Sequence, residues 1–97
     1  MRTLIVGDGN IFRGNGFTVT KKPFQVIYEE SGRKMTFEVE LRVDVPGKLY
    51  HEAIYARDFR WDYPNSPLSV SYHDRAEILS RLKTALDRLL PGYELIE

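Results

Sequence analysis

Between Lys34 and Asp44 the chain alternates without a miss: Met35, Phe37, Val39, Leu41 and Val43 are apolar, and the residues between them are polar or charged. Strict two-residue alternation puts every apolar side chain on one face, so this stretch predicts a strand with one side on a core and the other in water. Upstream, Phe17 and Val19, then Phe24, Val26 and Tyr28, keep the same spacing on either side of Pro23, which predicts two strands broken there. Glu30-Ser31-Gly32-Arg33 reads as the hairpin connection between the second of these and the Met35 strand. Thr3 to Val6 reads as a further short strand, with turn chemistry at Gly7-Asp8-Gly9-Asn10 and again at Gly14-Asn15-Gly16. After Pro46-Gly47, Leu49 to Tyr55 and then Arg57 to Tyr63 read as one long or bulged strand, or as two.

From Ser71 the period changes. Ile78, Leu79, Leu82, Ala85, Leu86, Leu89 and Leu90 recur at helical spacing, while Glu77, Arg81, Thr84, Asp87 and Arg88 fall toward the other side. Ser71 is placed as an N-cap with Asp74 at the third helical position, so the helix is expected to start near Tyr72. Pro91-Gly92 ends it, and Tyr93 to Ile96 returns as a short edge strand. The order of elements predicts an α+β fold in one domain, residues 1–97. An antiparallel β-meander covers about residues 2–63, one amphipathic C-terminal helix at about 72–90 packs on one face, and a short strand lies at about 93–96. The opposite sheet face then carries Lys34, Thr36, Glu38, Glu40 and Arg42.

Composition narrows the function classes more than it selects among them. The 97 residues, 42% of them hydrophobic, are enough for one core without staples. There is no cysteine, which excludes thiolate chemistry and cysteine zinc sites and fits a reducing cytoplasm. Fourteen basic and fourteen acidic residues cancel, so no global field draws the chain to nucleic acid or to an anionic membrane. Met1 to Val6 is too short for the apolar region of a signal peptide or for a membrane span. A cytoplasmic protein without cofactor, nucleic acid or membrane partner is the expectation.

Candidate chemistry is sparse. Gly7-Asp8-Gly9 follows an apolar run as in a dinucleotide site, but position 12 is Phe where a third Gly belongs and no helix follows. His51-Glu52 and His73-Asp74 are the His–acid pairs; neighbours on a strand point to opposite faces, and capping accounts for Asp74. A small enzyme using His51 or His73 is the least favoured alternative, and no metal set or nucleophile elbow stands out. Lys21-Lys22 before Pro23 reads as an exposed edge or bulge that blocks sheet-to-sheet pairing. Phe59, Arg60, Trp61, Asp62 and Tyr63 mix aromatics with both signs of charge, as binding surfaces do. If this stretch is a strand, its three rings share the core face. The partner-binding residues are then expected on the other face: Asp58, Arg60 and Asp62, with Tyr50 and Glu52 nearby.

From Gly32 to Glu97 the order of motifs resembles a family of small bacterial immunity proteins of polymorphic toxin and contact-dependent growth inhibition systems. The matching residues are Glu30-Ser31-Gly32-Arg33 before a β run with Glu40, a strand ending in Trp61-Asp62-Tyr63-Pro64, Ser71 opening a helix with Ile78-Leu79 and Ala85-Leu86, and a closing Gly92-Tyr93-Glu94-Leu95-Ile96. The resemblance implies a cytoplasmic antitoxin with an α+β fold that binds and blocks a cognate toxin domain and has no chemistry of its own. Since the chain is neutral, the toxin need not be a nuclease. The alternative is a protein-interaction or regulatory domain with another partner.

Overall fold

The computed structural model describes residues 10–42, 51–90 and 92–97, with His51 described by its backbone. Tyr50, and the strand expected at Thr3 to Val6, lie outside the described residues. In chain order the elements are β1 (Ile11–Arg13), β2 (Thr18–Lys22), β3 (Gln25–Glu30), β4 (Arg33–Arg42), β5 (His51–Tyr55), a helix α1 (Tyr72–Leu89) and β6 (Tyr93–Ile96). The strands form one sheet in sequential order from β1 to β6. All neighbours are antiparallel except β5 and β6, which run parallel because α1 carries the chain back to the starting end of the sheet. The fold is α+β, as the pattern predicts.

Register follows the alternation. Val19 faces Tyr28, which faces Met35; Val26 faces Phe37; and Val39 faces Ile54, all of them buried. At the β3–β4 hairpin Ser31 (φ 51°) and Gly32 (φ 76°) supply the two positive φ values that a tight turn needs to match the strand twist. Ser71 caps α1: its Oγ accepts from the Asp74 N–H at 3.1 Å. The helix buries Ile78, Leu82, Ala85 and Leu86 on the sheet, and each of the larger three contributes roughly 1.5–3 kcal/mol of transfer free energy.

Two expectations are corrected. Arg57 to Tyr63 is not a strand: β5 stops at Tyr55, and the chain runs without helix or strand from Ala56 to Ser71. The ladder with β4 ends at the Glu38–Tyr55 pair, and the Ala56 N–H makes the last bond on the β6 side, to the Ile96 carbonyl (2.8 Å). Once it ends, two-residue alternation no longer governs the side chains. Trp61 is buried and Phe59 packs at the edge of the core, whereas Tyr63 is 89% exposed, so the three rings do not share a face. Lys21 is not an exposed step either. Paired with the buried Val26, it lies on the helix side of the sheet, and its Nζ sits 2.7 Å from Glu52 Oε1. Lys22 is exposed as expected.

Candidate partner-binding strap

The segment from Ala56 to Ser71 crosses the end of the sheet as a strap, and three of its side chains fix it. Trp61 enters the core with 4% exposure, its ring 6.4 Å from that of Tyr28, and the Arg33 guanidinium covers it at 4.5 Å. Phe59 meets Phe37 edge-on at 5.3 Å and lies under the Arg75 guanidinium at 4.8 Å. Asp62 closes the half of β4 that β5 leaves uncovered. Its N–H donates to the Lys34 carbonyl (2.7 Å), while its carboxylate accepts from the Thr36 N–H (3.3 Å) and the Thr36 hydroxyl (2.6 Å). Turns at Asn65 N–H to Asp62 C=O (2.8 Å) and Leu68 N–H to Asn65 C=O (2.9 Å) shape the rest.

What the strap presents outward is Arg57, Asp58, Arg60, Tyr63 and Leu68, all exposed. The Arg60 N–H donates to the Asp58 carbonyl at 3.0 Å, which holds these two side chains on one short turn. Beside the turn an open notch of about 350 Å³ lies between Thr36 to Glu38 of β4 and Tyr55 to Asp58. On the adjoining sheet face the Tyr55 hydroxyl donates to Glu40 Oε1 at 2.6 Å, and this bond raises the phenol pKa. Arg57 stacks over the same ring at 5.4 Å.

The five residues singled out from the sequence therefore separate. Asp58 and Arg60 are exposed together on the strap. Asp62 is half-buried in its bonds to Thr36. Glu52 is tied to Lys21 on the helix side of the sheet, with 14% of its side chain exposed. Tyr50 is outside the described residues. Sequence reasoning missed Tyr63 and Tyr72, exposed at 89% and 91%. Pro64 directly after Tyr63 was the available signal, since it argues against a paired strand there.

Midway along α1 a second polar cluster ties the helix to the sheet. Arg81 Nη1 donates to the Tyr28 hydroxyl (2.9 Å) and to Glu30 (3.3 Å), the Tyr28 hydroxyl donates to Glu30, and Arg33 reaches Glu30 at 3.5 Å. Burial and the Glu30 bond push the Tyr28 pKa up to about 12. The cluster reads as structural, although Arg33 Nε is buried without a hydrogen-bond partner. Among the described residues no three His, Asp or Glu side chains are placed to hold a metal ion, and no helix is long and apolar enough to cross a membrane. His73 is exposed in the first turn of α1. The chain matches no protein-family model, no curated protein and no solved structure.

Proposed function

We infer that this chain is an immunity protein, a non-enzymatic cytoplasmic antitoxin that binds a cognate bacterial toxin domain and neutralises it by steric occlusion. The observation that carries the reading is the strap. Connections longer than about 12–15 residues without helix or strand are uncommon in compact domains and are usually functional. This one is held in a single geometry by Trp61, Phe59 and Asp62 while Asp58, Arg60 and Tyr63 face outward. A surface fixed before binding loses little conformational entropy on docking. Tyr and Arg are the residue types most often dominant at protein interfaces. Occlusion asks for nothing more than such a surface seated over the toxin's working site. The toxin as partner comes from the resemblance of the Gly32 to Glu97 stretch to the immunity family.

The test is to express the C-terminal domain encoded directly upstream of this chain, with and without it. Growth arrest by the domain alone, relief by this chain and co-elution of the two are expected, and the double reversal Asp58→Arg with Arg60→Glu abolishes capture without unfolding. A harmless neighbour, or a toxic one that is neither bound nor relieved, overturns the reading.

A further inference from the structure

Next to the strap, β6 ends the sheet, and among the described residues no strand pairs with its far side. The Ile96 carbonyl accepts from the Ala56 N–H at 2.8 Å, so Ile96 turns its backbone polar groups toward β5. By alternation Leu95 turns its own N–H and C=O to the open edge. Where β6 ends, a groove of about 300 Å³ is lined by Tyr72, Arg75, Ala76 and Leu79 on one flank of α1 and by Glu97 just after the strand. The groove joins the strap, because Arg75 in its wall is also the cation stacked on Phe59.

We propose that the β6 edge and the α1 groove take up an extended strand of the toxin by strand addition, with one apolar side chain of that strand lodged between Tyr72, Ala76 and Leu79. The proposal rests on the reading of this chain as a toxin-binding protein and supplies its mode of binding. The occupant is chosen by chemistry. A row of strand N–H and C=O groups is matched by another extended backbone and by little else. The groove lies over one face of the added strand, so alternate side chains of the ligand meet Ala76 and Leu79 while those between them face water. Glu97 is exposed at the groove, which favours Lys or Arg at the neighbouring ligand position, while Glu94 is held by Arg42 at 3.5 Å.

Two variants isolate this mode. Ala76 is exposed on α1, so Ala76→Arg fills the groove without touching the core. A chain ligated to a synthetic C-terminal peptide carrying N-methyl-Leu95 loses one outward hydrogen-bond donor and keeps every side chain. The probe is the upstream-encoded toxin domain, titrated by calorimetry. If wild type binds and both variants weaken binding tenfold or more at an unchanged urea midpoint, the mode stands. If wild type binds, the Asp58→Arg/Arg60→Glu variant fails to bind and the groove variants bind like wild type, strand addition is wrong while the immunity reading survives. If wild type does not bind the domain, both fall. Self-association that N-methyl-Leu95 abolishes would assign the edge to a second copy and overturn the proposed occupant.

Discussion

Asp62 does for Thr36 what a neighbouring strand would otherwise do: its carboxylate takes both the backbone N–H, at 3.3 Å, and the side-chain hydroxyl, at 2.6 Å. With the Asp62 N–H on the Lys34 carbonyl, one residue closes the part of β4 that β5 leaves open. A bare half-edge invites pairing with other chains, so the contact is protective as well as stabilising.

Asp62→Ala is expected to destabilise the fold by about 1–3 kcal/mol, because the half-buried Thr36 donors lose their acceptor. Thr36→Val removes the hydroxyl partner, and a double-mutant cycle by urea unfolding should return a coupling energy of at least about 0.5 kcal/mol. Additive effects would mean the pair does not interact in solution. Asp62→Asn keeps an acceptor for the Thr36 N–H and should recover part of the loss.

Glu52 stabilises the fold through Lys21, so its effect on partner binding should be indirect. Its side chain is 14% exposed and that of Lys21 10%, and removing one partner of a largely buried pair leaves the other charge without compensation. Glu52→Gln should lower the unfolding midpoint measurably and leave toxin capture by the folded fraction unchanged. Lost capture at an unchanged midpoint would make Glu52 a contact residue after all.

Tyr28 gives the fold an alkaline limit. Its pKa stands at about 12 in the folded chain, raised by burial and then by Glu30, against the ordinary 10.0 of an unfolded tyrosine. The folded state therefore keeps a proton that the unfolded state releases. The contribution is complete below pH 10 and is lost as the pH rises through about 12, with a slope of up to about 1.4 kcal/mol per pH unit. Tyr93, raised to about 12 by burial and by Asp87, acts in the same direction. Urea midpoints followed across this window should fall, and Tyr28→Phe should make the fall shallower. Spectrophotometric titration should show Tyr28 and Tyr93 ionising later than an ordinary tyrosine, with Tyr55 delayed as well.

Trp61 anchors the strap and also reports on it. At 4% exposure its emission should be blue-shifted and poorly quenched by iodide. Trp61→Phe should keep the fold at a cost of a few kcal/mol, and amide exchange should quicken first around Asp62 and Asn65. Uniform quickening across the sheet would show that the strap has no stability distinct from the core.

Ser71→Ala should cost about 1 kcal/mol through loss of the N-cap bond to Asp74. The change is read by thermal melting, and Ser71→Asp should restore most of it. No change would mean that another group caps the helix in solution.

Much of the fold could be read locally. The unbroken alternation of β4, the Pro23 break, the Ser31-Gly32 turn and the Ser71 cap all appear in the structure where the pattern places them. Each depends on a period or a backbone preference that neighbouring residues declare on their own. The candidate site was only half legible. Asp58 and Arg60 were found by their composition, but for a strand that does not form.

By itself, then, the sequence determined the strands of the meander from β2 to β5, the length and buried face of α1, and the return of Tyr93 to Ile96 as a strand. Only the tertiary structure decided that β6 runs parallel to β5, that Lys21 meets Glu52 across the helix side of the sheet, and that Trp61 and Tyr63, two residues apart, go to the core and to solvent. The physical reason is range. A strand or helix carries its period in every few residues, whereas the strap has no period of its own and takes its course from partners such as Thr36 and Phe37, some twenty residues or more away along the chain.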